Sequence, residues 1–150
     1  MTETLVAVDV GASRTRVCVG SDPSDFPGHD PMIRNIKSVS DLTSFLTEVR
    51  EGLPEGSRVR LAAGIAAPNV ADDVRLMTNW TGDREVRLSE LAAIGFEDVV
   101  VLNDLEASAY GLIAFLGSDR YGDDLVSFNG SDVPESGNRA LVIPGSGLGS

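Results

Sequence analysis

Apolar residues along the chain occur in short runs, and several of these runs have the length and spacing of β-strands. Residues 5–10 and 15–20 are apolar runs separated by a turn that contains glycine, which predicts an antiparallel hairpin. Residues 58–67 and 99–102 are further apolar runs of strand length. We expect all of these segments to belong to one sheet.

Helical periodicity follows the opening strands. Apolar residues recur at helical spacing over residues 41–51, directly after Ser40, a residue type favoured as a helix amino-terminal cap. The same spacing predicts a short helix over residues 88–94 and the most apolar helix of the chain over residues 105–116. An opening hairpin followed by alternating helices and strands predicts an α/β protein whose sheet has mixed strand directions.

The remaining segments have weaker patterns. Residues 21–31 are dense in Ser, Asp, Pro and Gly and predict an exposed loop. Residues 32–37 and 70–78 alternate over a few positions and predict short additional strands. Residues 117–138 are polar and rich in Gly, Ser and Asp, which indicates a linker or an excursion before the next apolar run.

Composition and charge narrow the class of protein. The chain has 150 residues, 42% of them hydrophobic, and a mean hydropathy of +0.03, which is typical of a globular domain. Its net charge of −11 argues against nonspecific binding to nucleic acid, because such binding needs cations that neutralise phosphates. No apolar run approaches the length of a membrane span, and the acidic start of the chain does not resemble a secretory signal. We therefore expect a cytoplasmic protein that binds neither nucleic acid nor membranes.

Polar or glycine-rich residues follow three of the apolar strands, at the strand ends where ligands gather in α/β sheets. Asp9 lies near the end of the first strand, and the turn of Gly11, Ala12 and Ser13 follows it. The backbone N–H groups and the hydroxyl of such a turn can bind a phosphate, and Asp9 can hold Mg²⁺ through water. An ordinary hairpin turn capped by the carboxylate is the structural alternative.

The second polar pair is Asn103 and Asp104, directly after the apolar run 99–102 and at the start of the last predicted helix. A carboxylate at that place can accept the proton of a substrate hydroxyl that attacks a phosphoryl group. The neighbouring amide can both donate to and accept from sugar hydroxyls. Helix capping is the structural alternative, because Asn and Asp are favoured amino-terminal caps.

The third polar segment is the glycine-rich end of the sequence, which follows a short apolar run. Gly145, Ser146, Gly147 and Gly149 alternate in a way that exposes several backbone N–H donors. Those donors suit a phosphate group. A flexible terminal tail accounts for the same residues.

In this order the three segments resemble the sugar kinases of the hexokinase–actin–heat-shock-protein superfamily, and most closely the bacterial-type glucokinases. The resemblance rests on LVAVDVGASRTRV, AAGIAAP, LMTNWT, LAAIGFEDVVVLNDLEASAYGL and VIPGSGLGS. It implies a ribonuclease-H-like mixed sheet with flanking helices, the amino-terminal half of an actin-like ATPase fold. We expect this domain over residues 1–116, a linker or excursion over residues 117–138, and the start of a second domain over residues 139–150.

The resemblance also implies a role for each segment. Residues 9–13 match the first phosphate loop of such kinases, which contacts nucleotide phosphates and Mg²⁺, and residues 145–149 match the second. Asn103 matches a sugar ligand, and Asp104 matches the catalytic base that activates the 6-hydroxyl. Asn79 lies in a segment that borders the sugar site in these enzymes.

This sequence departs from the family in two places. Ala12 and Ser13 stand where the family usually has a second glycine and a threonine. In such enzymes further acidic and histidine sugar ligands follow the second phosphate loop, and the chain contains none of them. We therefore expect an incomplete and inactive part of a parent enzyme. Trp80, beside the predicted sugar segment, is interpreted as a core aromatic.

The expected reaction of the parent enzyme is the ATP-dependent phosphorylation of glucose at its 6-hydroxyl. The resemblance implies ATP and Mg²⁺ as cofactors and glucose or a similar hexose as substrate, and it is compatible with a homodimer. Two alternatives share the fold. One is a sugar-binding regulator without catalysis, and the other is a related kinase that acts on another hexose.

Overall fold

The structure is a computed structural model that describes residues 3–117 and 141–142. It divides into two compact units, Met1–Ala107 and Ser108–Ser150, and all the elements described here lie in the first except the last helix, which begins there and continues into the second. The strands are β1 (Glu3–Val10), β2 (Thr15–Gly20), β3 (Met32–Arg34), β4 (Arg58–Ile65), β5 (Asn69–Ala71), β6 (Val74–Leu76), β7 (Glu85–Arg87) and β8 (Asp98–Asn103). The helices are α1 (Val39–Glu51), α2 (Leu88–Ala93) and α3 (Asp104–Leu116), with a 3-10 helix over Pro23–Gly28.

The central element is a five-stranded sheet in the order β3-β2-β1-β4-β8. β4 pairs in parallel with β1 and with β8, whereas β2 is antiparallel to both β1 and β3. This is the mixed sheet predicted from the opening hairpin and the later apolar runs. Its strand order is that of a ribonuclease-H-like fold, as the resemblance implied.

One face of this sheet shares a hydrophobic core with α1. Strands β1 and β4 alternate, so that every second residue is buried and its neighbours are more exposed. Because α1 has its apolar residues at helical spacing, it contributes one stripe to the same core. The stripe consists of Val39, Leu42, Phe45, Leu46 and Val49.

Helix α1 begins two residues earlier than predicted, because Ser38 and not Ser40 is its cap. The Ser38 hydroxyl oxygen accepts a hydrogen bond from the Asp41 N–H at 3.1 Å. The Asp41 carboxylate in turn accepts from the Lys37 N–H at 3.2 Å. These reciprocal hydrogen bonds satisfy two backbone donors at once, which a cap at Ser40 would not do.

Two segments contain more secondary structure than predicted. The predicted loop 21–31 includes the 3-10 helix, and the Asp25 carboxylate accepts hydrogen bonds from the Ser21 and Asp22 N–H groups just before it. The strand predicted within residues 70–78 is confirmed as β6, and the same region also contains β5, which was not predicted separately. Both strands make a separate three-stranded sheet with β7.

Gly64, near the end of β4, allows α3 to begin close to the sheet. A β-carbon at this position would lie 3.1 Å from the β-carbon of Ala107 and 3.7 Å from the α-carbon of Asp104. The first distance is shorter than normal packing permits, so a larger residue would push the first turn of α3 outward. The absence of a side chain at Gly64 therefore sets the place of Asp104.

Helix α2 receives its amino-terminal cap from a residue in another part of the chain. Arg87, at the capping position, makes no side-chain capping hydrogen bond. The Asp73 carboxylate accepts instead from the Ser89 hydroxyl at 2.8 Å and from the Ser89 N–H at 3.0 Å. These hydrogen bonds, that of the hydroxyl foremost, hold the pKa of Asp73 below its ordinary value of 3.8.

None of the helices within residues 3–117 combines the length and the apolar character that a membrane span requires.

The substitution Gly64→Ala should destabilise the chain by about 1 kcal/mol, because its new methyl group meets that of Ala107. In an Ala107→Gly background the opposing methyl group is gone, so the same substitution should cost little. Urea unfolding of the four proteins of this double-mutant cycle measures the coupling. An equal cost of Gly64→Ala in both backgrounds would contradict the close approach.

The substitution Asp73→Ala should lower stability at neutral pH and much less in acid. Because the pKa of Asp73 is depressed in the folded protein, its contribution is complete above the unfolded-state pKa. It is lost as the pH falls through the folded-state pKa. The difference between the urea midpoints of wild type and Asp73→Ala should stay constant from pH 7 to about pH 5 and become smaller below about pH 4. Ser89→Ala, which removes the hydroxyl partner, should show the same trend, and a difference independent of pH would exclude this account.

Candidate active site

The parallel strands bring two of the predicted polar segments to the same edge of the sheet. Val10 at the end of β1 pairs with Ile65 of β4, and Ile65 pairs with Asn103 of β8. One strand therefore separates the two segments, and two strand spacings amount to about 10 Å between the backbones of Val10 and Asn103. Asp9 and its turn thus lie at the same edge of the sheet as Asn103 and Asp104.

The turn after β1 is closed by its own backbone. The Gly11 N–H donates to the carbonyl oxygen of Arg14 at 3.0 Å, and a β-carbon at Gly11 would lie 3.1 Å from that oxygen. No residue other than glycine within residues 3–117 has a positive φ. Ala12 therefore fits the turn without backbone strain, although it replaces the usual second glycine. Ala12 and Ser13 are both exposed at the tip.

Asp9 forms an ion pair with Arg16 across the hairpin. The distance from Arg16 Nη1 to Asp9 Oδ2 is 2.7 Å, and about half of each side chain is exposed (47% and 52%). The other carboxylate oxygen, Oδ1, has no partner among the described residues. Arg16 was not predicted as a site residue. The sequence contained the information needed to predict it, because the length of the turn places Arg16 opposite Asp9 in the hairpin.

Asn103 is held by hydrogen bonds on both sides of its amide. Its Nδ2 donates to the carbonyl oxygen of Ala67 at 3.3 Å, and its Oδ1 accepts from the Leu105 N–H at 3.0 Å. The second contact is a helix cap, so the structural alternative to sugar binding is observed for this residue. An amide group can make four hydrogen bonds, and these two contacts leave capacity for a ligand.

Asp104 is the first residue of α3 and is half-buried. Its Oδ1 accepts from the Leu105 N–H at 2.9 Å. Gly64 lies directly behind its backbone, which fixes where the carboxylate leaves the sheet. A carboxylate in this position can accept a proton from a hydroxyl group bound beyond the ends of β1 and β8.

Asn79 follows β6, which belongs to the three-stranded sheet and not to the five-stranded one. It is exposed, whereas Met77 and Trp80 on either side of it are only 1% and 3% exposed. The interpretation of Trp80 as a core aromatic is confirmed. Its indole N–H has no hydrogen-bond partner among the described residues. The two buried neighbours anchor the backbone on both sides of Asn79.

The predicted second phosphate loop, with Gly145, Ser146, Gly147 and Gly149, lies outside the described residues.

The donor set beside the first turn suits Mg²⁺. No group of three or more His, Cys, Asp or Glu side chains with metal-binding geometry occurs within the described part of the chain. Proteins commonly bind Mg²⁺ with one or two carboxylates and complete its shell with water and substrate phosphates. Asp9, half-exposed next to a solvent-facing turn, fits that pattern.

A separate cavity of about 560 Å³ lies on the sheet face opposite α1. Small and apolar residues of β1, β4 and β8 form its floor, and Asp9 and Arg16 lie at its border. Its described lining includes neither Asn103 nor Asp104. The lining of this cavity therefore includes Asp9 of the first polar segment and neither residue of the second.

Comparisons with known proteins match this chain to glucokinases. The glucokinase family model matches residues 5–150. The curated glucokinase of Chelativorans sp. (strain BNC1) is 29% identical over 144 residues, which cover 94% of this chain and 39% of that protein. The glucokinase of Ralstonia nicotianae is 41% identical over 90 residues, which cover 59% of this chain and 24% of that protein. The chain thus spans about two fifths or less of the length of these two relatives.

Solved structures show the same fold. A glucokinase from Balamuthia mandrillaris in complex with glucose matches with a TM-score of 0.62 and 24% identity, over 78% of this chain and 34% of that one. A glucokinase from an Antarctic psychrotroph matches with a TM-score of 0.53 and 22% identity, over 71% of this chain and 34% of that one. The predicted actin-like ATPase fold is thereby confirmed. Because the family model covers nearly the whole sequence, the chain belongs to the glucokinase family.

Proposed function

We propose that the chain supplies the first phosphate-binding turn and the catalytic base for the ATP-dependent phosphorylation of glucose at its 6-hydroxyl. The observation that carries this proposal is the position of Asp9 and Asp104 at one sheet edge, with only β4 between their strands. The backbones of Val10 and Asn103, each one residue from a proposed carboxylate, lie about 10 Å apart, which leaves room for a sugar hydroxyl and a phosphoryl group. Membership of the glucokinase family supports the choice of substrate.

The proposed chemistry assigns the proton transfer to Asp104. Its carboxylate accepts the proton of the 6-hydroxyl while that oxygen attacks the γ-phosphorus of ATP. The new bond joins the sugar oxygen to phosphorus, the bond to the bridging oxygen of ATP breaks, and ADP leaves. Asn103 orients the sugar through the remaining hydrogen-bonding capacity of its amide. Asn79 is proposed to border the same sugar.

The turn of Gly11, Ala12 and Ser13 is proposed to bind nucleotide phosphates through backbone N–H groups and the serine hydroxyl. Asp9 would hold Mg²⁺, which neutralises phosphate charge when bound. The ion pair with Arg16 orients the Asp9 carboxylate and leaves its second oxygen available. Gly145, Ser146, Gly147 and Gly149 remain the predicted second phosphate loop.

In the full-length gene product, Asp104→Asn should lower kcat by about 10²- to 10⁴-fold, because the amide cannot accept the hydroxyl proton. The affinity for glucose and the melting temperature should change little. Glu106→Gln is the matched control, since Glu106 is an exposed carboxylate in the same helical turn. A variant Asp104→Asn with more than about a tenth of wild-type kcat would refute the role of base. If the wild type binds glucose without turnover, the result would favour the alternative of a sugar-binding regulator without catalysis.

The 150-residue chain by itself should show little or no turnover of glucose and ATP. It spans 39% of the length of the Chelativorans glucokinase, and we propose that further residues of the parent enzyme complete the site. A coupled assay of ADP release, run beside the full-length gene product, measures this. Robust turnover by the chain alone would show that the described residues and the glycine-rich segment suffice.

A further inference from the structure

Arg75, in β6, is a buried cation without an acidic partner. Only 7% of its surface is exposed, and no carboxylate within residues 3–117 forms an ion pair with it. Its guanidinium group is always charged, and burying a charge is costly unless polar groups surround it. Such a residue is retained in a fold when its contacts have a specific purpose.

The contacts of Arg75 are backbone carbonyl groups on two separate sheets. Its Nη1 donates to the carbonyl oxygens of Ala71, Asp72 and Val74 at 3.1, 3.3 and 3.3 Å, which closes the turn between β5 and β6. Its Nη2 donates to the carbonyl oxygen of Val101 in β8 at 3.4 Å. One guanidinium group thus joins the small sheet to the edge strand of the large one.

The contact with Val101 lies at a sensitive place in the sheet. Strand β8 is at one edge of the five-stranded sheet, so its outer carbonyl groups have no neighbouring strand among residues 3–117. Val101 precedes Asn103 by two residues. On the inner side β4 holds this segment through the pairing of Ile65 with Asn103. Arg75 holds it on the outer side.

The other end of this connection carries the predicted sugar segment. Strand β6 ends at Leu76, and Asn79 follows three residues later. The first unit therefore contains a direct link from the strand that leads to Asn79 to the strand that leads to Asn103. A shift of β6 against β8 would move the two amide side chains relative to each other.

We propose that Arg75 is a positioning residue that holds the Asn79 segment against Asn103 and Asp104, and so sets the affinity of the site for its hexose. The inference rests on the proposed function for its choice of ligand. Arg75 does not touch the sugar. The planar fork of arginine suits this task because its two terminal nitrogens can bind carbonyl groups on both sheets, which a single ammonium group cannot span.

The test uses Arg75→Met and Arg75→Lys in the full-length gene product. Methionine removes every donor, and lysine keeps the charge but concentrates its donors on one nitrogen. Arg87→Met on β7 is the control, since Arg87 is exposed and pairs with Glu85. The measurements are kcat, KM for glucose, KM for ATP, the melting temperature, and hydrogen exchange of the backbone amides from Asn103 to Leu105.

We expect Arg75→Met to raise KM for glucose about tenfold, because the Asn79 segment is no longer held against Asn103, while KM for ATP changes by less than about twofold. The amides of Asn103, Asp104 and Leu105 should exchange faster than in wild type, and those of β1 should not. Arg75→Lys should recover melting temperature but not the exchange rates. Arg87→Met should leave all of these unchanged.

A merely structural role for Arg75 predicts a different result. Hydrogen exchange would then increase equally in β1 and β8, or it would stay unchanged in a folded variant. In both cases KM for glucose would not change. Each of these two results would overturn the proposal. If Arg75→Met fails to fold, the exchange pattern of Arg75→Lys decides. If the wild type does not bind glucose, the proposed function fails, and the exchange pattern still tests the link between the sheets.

Discussion

The parallel pairing of β4 with both β1 and β8 is the constraint on which the candidate active site depends. Parallel strands point their carboxyl ends the same way, so the residues that follow β1 and β8 must lie at one edge. The antiparallel strands β2 and β3 extend the sheet on the other side and bring Arg16 back beside Asp9. Without β4 between them, neither polar segment would have a fixed distance from the other.

Because β8 is at the edge of the sheet, the position of Asn103 and Asp104 depends on contacts other than the hydrogen bonds between strands. Three of these contacts surround it: Ala67 binds the Asn103 amide, Gly64 admits the start of α3, and Arg75 binds the Val101 carbonyl group. Each uses a backbone group or the absence of a side chain. The proposed base therefore occupies a position that is set mainly by backbone geometry, which suits a group that must be placed accurately for proton transfer.

The two candidate carboxylates differ in their surroundings. Asp9 is half-exposed and paired with Arg16, an arrangement that adds little stability but restricts the direction of the carboxylate. Asp104 starts a helix, and one of its oxygens accepts a backbone N–H. An exposed carboxylate beside an open turn suits a hydrated cation, and a carboxylate at a strand-to-helix junction suits a bound hydroxyl. The division of roles proposed for them follows from this difference.

Sequence patterns alone determined the long elements and the residues at their ends. The opening hairpin, β4, β8, α1 and α3 each carry enough periodic residues for prediction, and Asp9, Asn103 and Asp104 follow from their places after apolar strands. Only the tertiary structure revealed the three-residue strands β5 and β7, since so few residues carry no reliable period, and only it showed that β6 joins them in a second sheet. It alone revealed Arg75 as a buried link and Gly64 as a close approach. Both depend on residues that are distant in sequence, and no local pattern encodes such contacts.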